Sequence, residues 1–274
     1  MHKITLRSIS DIEGCTIGAT DGIIGRVTDC YFDDEAWVIR YFIVETSGGM
    51  LRHKVLIPPM ALGHPDWAEK ILPVTITREQ VKNSPDIDTD KPVSRQQELG
   101  YLGYYGYGIY WGGGGLWGAG VYPDILQAGL QDKRFRSKAA VATAAAQSDD
   151  PHLHSCNAVR RYYVHASDGE IGHICGFLAD EKTWAIRYLI IDTSNWWLGH
   201  QVLVSPEWVE AVSWPESMVN VDLTRQSVKD APAYDAKLPL DPEQQAVLDL
   251  HHRHHGKAPH AGSKQPTRPS RPAG

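Results

Sequence analysis

Two histidines, His53 and His200, stand at the same place in two similar stretches, each just ahead of a short apolar run ending at Ile57 or Val204. Imidazoles so placed could act as general bases or metal ligands. Either role needs a nucleophile or carboxylate cluster beside them, and the sequence shows none. A strand-edge histidine bonded to backbone is the simpler reading. Arg40 and Arg187 form a second pair, each mid-strand with Glu45 or Asp192 five residues on. Such a guanidinium can pack its stem on a sheet and pair with the carboxylate, or anchor a partner or the contact between two modules. The run His251-His252-Arg253-His254-His255 would place His251 and His255 one helical turn apart, a workable spacing for two metal ligands. Nothing nearby completes a shell, so weak metal capture stands against a disordered tail. Cys15, Cys30, Cys156 and Cys175 lack C-x-x-C spacing and read as buried or semi-buried free thiols. No catalytic, cofactor or metal-ligating residue is assigned.

What positions these residues is a repeat. Shifting the sequence by 147 places lays residues 19–88 on 166–235 without a gap, with 27 of 70 pairs identical. Each copy reads as strands. Asp21-Gly22 and Asp168-Gly169 are hairpin turns, and Gly25 marks a bend or close backbone approach. An acidic turn at 33–35 leads to the longest strand, Trp37 to Thr46, matched by Trp184 to Thr193. Both of its faces are largely apolar, which predicts a central position in a closed or strongly curved sheet. A strand at Leu72 to Ile76, or Met218 to Leu223, is followed by a short helix that Thr77 or Thr224 would cap. Five or six short strands with so little helix predict a small β-barrel for residues 1–90 and another for 151–240.

The segments outside the copies differ in kind. Residues 91–150 include a run of Gly, Tyr and Trp from Gly100 to Gly118, too glycine-dense to sustain a helix or pack a core, and an alanine-rich stretch at 139–146. A flexible linker is expected, with a sticky aromatic interaction segment as the alternative. Deleting residues 100–120 should then leave any function of the barrels intact. Residues 241–274 predict a short helix to Leu250 and a disordered His- and Pro-rich tail. Charge sharpens the contrast: residues 1–90 carry nine basic against fourteen acidic side chains and 151–240 seven against eleven. Acidic modules argue against phosphate-rich partners such as nucleic acid. No stretch approaches the roughly 18–20 apolar residues of a membrane span, and Met1 to Asp11 lacks a signal peptide's apolar region, so a cytoplasmic setting is expected.

The D-G-x-I-G hairpin, the acidic turn, the W-x-I-R-Y-x-I strand and the H-x-V-L-x-x-P strand resemble the PRC-barrel domains. That family includes the cytoplasmic domain of the photosynthetic reaction centre H subunit and the C-terminal domain of a ribosome-maturation factor. The resemblance covers about residues 5–90 and 152–238 and implies two small barrels in tandem, five to six strands each plus a short C-terminal helix. It carries no shared catalytic motif. It implies a non-enzymatic bacterial adaptor, without cofactor, docking a protein or membrane-associated complex, with the two barrels packed as an internal pseudo-dimer. Two alternatives follow from the same likeness: an H-subunit-like accessory in photosynthetic electron transfer, though the chain lacks that protein's N-terminal membrane helix, and an RNA- or ribosome-associated factor. The candidate interface residues are Arg40, Arg187, His53 and His200, with Trp196 and Trp197 where the second copy replaces Gly49 and Met50.

Overall fold

A computed structural model describes residues 4–46, 53–85, 93, 95–111, 113–126, 152–193, 200–236, 240 and 242–255. The architecture is mainly β, with two sheets and few helices. In the first half the strands are β1 (Leu6–Ser8), β2 (Thr16–Ala19), β3 (Gly22–Asp33), β4 (Val38–Thr46), β5 (Lys54–Ile57) and β6 (Ile71–Pro73). The second half contributes β7 (Leu153–Ser155), β8 (Tyr163–Ala166), β9 (Gly169–Asp180), β10 (Ile186–Asp192), β11 (Gln201–Val204), β12 (Val209–Ser213), β13 (Met218–Val221) and β14 (Ala233–Tyr234).

The local rules behind these elements act twice. Gly22 and Gly169 take φ of 136° and 140° to close the β2–β3 and β8–β9 hairpins. The aspartate before each does more than form a turn. Asp21 and Asp168 accept the backbone N–H of Arg78 and Arg225 at 2.7 Å, tying each hairpin to the helix Arg78–Lys82 or Arg225–Lys229. Those helices start at Thr77 and Thr224, whose hydroxyls accept from the N–H of Gln80 and Ser227. At Gly25 and Gly172 the neighbouring strand passes so close that a Cβ would lie 2.0 Å from the Glu45 carbonyl oxygen or 1.9 Å from that of Asp192.

The first sheet runs β5-β4-β3-β2-β6 and the second β12-β13-β8-β9-β10-β11-β14. Among the described residues neither closes into the ring expected from the sequence. Between β5 and β6 the chain passes through Pro58 and Pro59, which have no N–H to give a ladder, and turns in a 3-10 helix, Pro59–Ala61. In place of β12 the first half has only single bridges, Leu62 to Val74 and Asp66 to Ile71.

The halves are joined by exchange of strands. β1 pairs not with its own sheet but with β9, Leu6 opposite Asp180, and β7 pairs with β3, Leu153 opposite Asp33. These partners are related by the 147-residue offset, so each half completes the other's sheet. At the centre Val38 bridges Ala185, its own counterpart, flanked by Ile39 N–H to the Trp184 carbonyl (2.8 Å) and Ile186 N–H to the Trp37 carbonyl (2.7 Å). This pattern is a two-fold relation. The main apolar core runs across it, including Ile9, Phe32, Val38 and Ile39 from one side and Cys156, Phe177, Ala185 and Ile186 from the other. At 25 cal/mol/Å² or so of apolar area, such a shared core makes the halves one unit.

The repeat also reaches farther than identity shows. Helices Arg95–Tyr105 and Pro242–His255 begin 147 places apart, and Tyr101 and Leu248 hold equivalent positions. Tyr101 meets Tyr41 edge-on at 5.8 Å, and Leu248 packs in a small cluster with Tyr188, the counterpart of Tyr41.

Residues 95–126 correct the expectation of a flexible linker. Tyr101, Leu102, Tyr110, Trp117 and Leu126 are buried in the main core. Glycine supplies no local preference for order, but it lets the backbone fold tightly enough to bury these rings: Gly118 N–H reaches the Tyr110 carbonyl at 2.7 Å and Gly115 N–H the Gly118 carbonyl at 2.8 Å. Deleting residues 100–120 would therefore remove core. Both the alanine-rich 139–146 stretch and the tail beyond His255 lie outside the described residues. No described helix is long and apolar enough to cross a membrane.

Candidate functional site

Arg40 is the extra residue of a β-bulge. Ile39 faces Phe32 and Tyr41 faces Tyr31, leaving Arg40 without a partner in the ladder. The bulge turns its side chain under the aromatic segment. There its guanidinium donates to the Leu116 carbonyl (2.6 Å) and pairs with Asp33 Oδ2 (3.2 Å), lying over Tyr110 (3.8 Å to the ring centre) and Trp117 (4.7 Å). Arg40 is 3% exposed and Trp117 0%. The carboxylate is thus Asp33, from the acidic turn, and not Glu45. Trp117 also donates its indole N–H to the Thr183 carbonyl of the other half, 2.8 Å away.

A second layer continues inward. Arg95 lies 3.8 Å from Asp33 and 3.7 Å from Glu98, over the rings of Tyr110 and Trp111. Glu98, wholly buried, accepts from the Tyr110 hydroxyl (2.6 Å) and meets His152 Nε2 at 2.8 Å. Burial pushes the Tyr110 and Tyr41 phenols well up, and the Glu98 carboxylate adds to both. Two guanidinium and two carboxylate groups offset one another, as buried charge requires. Arginine, aspartate, glutamate, histidine and tyrosine are the residues of acid–base chemistry. Here they are sealed, and a substrate would have to displace Tyr110 and Trp117 to reach them. What the arrangement does is latch residues 95–126 onto both halves.

The counterpart site is open. Arg187 is again the extra residue of a bulge, between Ile186 opposite Ala179 and Tyr188 opposite Leu178. Its side chain is exposed, and among the described residues it makes no hydrogen bond, ion pair or ring contact. Asp180, the counterpart of Asp33, uses Oδ1 to accept the N–H of Lys182 (2.8 Å) and Thr183 (3.3 Å), just as Asp33 Oδ1 accepts from Glu35 and Ala36. Asp192, the expected partner, is not brought to Arg187.

The histidines contribute backbone. The carbonyls of His53 and His200 accept both the N–H and the hydroxyl of Thr46 and Thr193, at 2.8–3.1 Å, which fixes the ends of β4 and β10. No metal-binding group of three forms among the described residues. Trp196 and Trp197 lie outside the described residues. The cysteines are free thiols, three of them buried; burial pushes Cys30 and Cys156 well up and Cys175 to about 11.

Sequence reasoning missed the seam between the halves. Glu13 and Arg160 occupy the same position in the two copies and pair with each other (2.7 and 3.1 Å). Arg7 with Glu181, and His154 with Asp34 (3.0 Å), are likewise one contact made twice. His154 also stacks on Trp214, centroids 3.4 Å apart. Asp29 binds the Ser155 hydroxyl and accepts the N–H of Asn157 (3.1 Å), holding the exchanged strand; burial raises its carboxyl above the usual range. Opposite charges at positions 13 and 160 were visible in the sequence, but only the two-fold relation makes them neighbours.

Residues 5–80 match the family model of the PRC-barrel domain. No curated protein matches the chain. The match covers β1 to β6 and the start of the helix Arg78–Lys82, and it includes β1, which is spent on the other half's sheet.

Proposed function

We propose that the chain is a non-enzymatic cytoplasmic adaptor, a pair of PRC-like barrels in tandem that docks a protein or membrane-associated complex. The observation that carries this reading is the sealed cluster: the residues best suited to chemistry, Asp33, Arg40, Glu98 and His152, are consumed in holding the molecule together. The tandem reading is supported by the 27 identities in 70 aligned positions and by elements that recur at the 147-residue offset, helix 242–255 included. The test is capture on the full chain in its native cell with cross-linking and mass spectrometry, followed by direct binding of the purified pair. A stoichiometric protein that binds directly is the expected result. Turnover of a metabolite by the purified chain, lost when His53 and His200 are both replaced by alanine, would reverse the reading.

A further inference from the structure

Arg40 and Arg187 lie at the same bulge of equivalent strands, and only one of them is covered. Its cover is a short aromatic–glycine hairpin: Tyr110 and Trp117, their rings at 71° to each other, flank the guanidinium while the Leu116 carbonyl accepts from it. The same hairpin reaches across the two-fold relation to the Thr183 carbonyl, and beside it Trp184 is 3% exposed. At the other site the matching carbonyl belongs to Ala36, which is exposed, and Trp37, the counterpart of Trp184, is only half-buried. Arg187, Asp180, Ala36 and Trp37 thus repeat the groups that receive the hairpin on the first side.

The chain's own following segment cannot supply the same cover. Residues matching 106–126 by the offset are 253–273, and they contain no Tyr, Trp or Phe while carrying five Lys and Arg. Their rings are the imidazoles of His254, His255 and His260, weaker partners for a guanidinium than Tyr or Trp, and their net charge repels it.

We propose that the Arg187 face is a docking site for an aromatic–glycine loop of a partner protein, bound as residues 109–120 are bound to Arg40. The inference rests on the adaptor reading and gives it a site and a ligand chemistry. Two rings set edge to face would flank the guanidinium, a loop carbonyl would accept from it, and an indole N–H would reach the Ala36 carbonyl. A docked loop would also desolvate Arg187 beside Asp180, strengthening the attraction between them, as Asp33 and Arg40 are drawn together under their cover.

The probe is a head-to-tail cyclised peptide of residues 109–120, cyclised because the tethered loop is pre-folded and a free strand is not. Titrated into the full chain, it should bind saturably and shift the Arg187 Nε–Hε resonance. Arg187→Glu, or alanine at the Trp117 position of the peptide, should weaken binding about tenfold or more, a cation–π contact and a hydrogen bond being lost together. Unchanged circular dichroism and melting of the variant confirm that the fold is intact. No saturable binding, binding indifferent to Arg187→Glu, or a shift at Arg40 in place of Arg187 would each overturn the proposal. Those outcomes leave the adaptor reading standing if a captured partner still binds the Arg187→Glu chain; that reading falls if no direct partner exists.

Discussion

Arg40 and Arg187 occupy one structural position twice, and their surroundings have made them opposite kinds of residue. Around Arg40 a hairpin of Tyr, Trp and Gly turns a charged bulge into the centre of a buried network. Around Arg187 the same strand, the same bulge and the same upstream aspartate leave the guanidinium in water. The shared β-sheet scaffold therefore does not decide whether its mid-strand arginine is structural. The segment appended to each copy decides.

The largest effect that could break this comparison is at the arginines themselves. Arg40→Ala should destabilise the chain by about 3–5 kcal/mol in denaturant unfolding, since it strands Asp33 and empties the space beneath two rings. Arg187→Ala should leave the midpoint where it is; equal losses would show that the two faces are alike after all. A smaller loss is expected where the copies agree. Gly25→Ala and Gly172→Ala both force a Cβ into a backbone carbonyl, and each should lose about 1–3 kcal/mol. Gly172 should lose the more, because its φ of 133° is in addition one that an L side chain resists. The smallest effect probes the seam. Glu13→Arg faces Arg160 with a like charge and should lose about 0.5–1 kcal/mol, given that both side chains are roughly a quarter exposed. Adding Arg160→Glu should restore most of it. A double-mutant cycle without coupling would mean that the pair does not help to match one copy to the other.

Much of the local structure was legible because it rests on short-range rules. Asp21-Gly22, Thr77 and the long strand act through their immediate neighbours, and the structure shows the turn, the cap and β4 where these residues require them. Trp37 is an instructive exception: it reads as the first residue of that strand but takes φ of 52° and lies in the preceding turn, since its backbone must swing to reach Ile186 across the two-fold relation. The order of residues 95–126 was not legible, because it comes from burying rings against a distant surface and not from any preference of Gly-Gly-Gly-Gly. The recurrence of helix 95–105 was hidden for a similar reason. Tyr101 and Leu248 need share only an apolar side chain to cap equivalent tyrosines. The strand exchange has no local signature at all: β1 and β7 are so alike that only their flanking geometry selects between the two sheets.

That exchange sets an order on how the chain can be made. β1 leaves the ribosome well before its partner β9, which ends at Asp180. At about 5–20 residues per second, the first strand waits on the order of ten to thirty seconds with its backbone unpaired. Throughout that time the newly made first half is a sheet with one strand missing and one strand spare, and a neighbouring nascent copy presents the same two ends. Polysomes that crowd such chains together would favour joining between molecules, so the spacing of ribosomes on the message bears on the yield of correctly closed monomer.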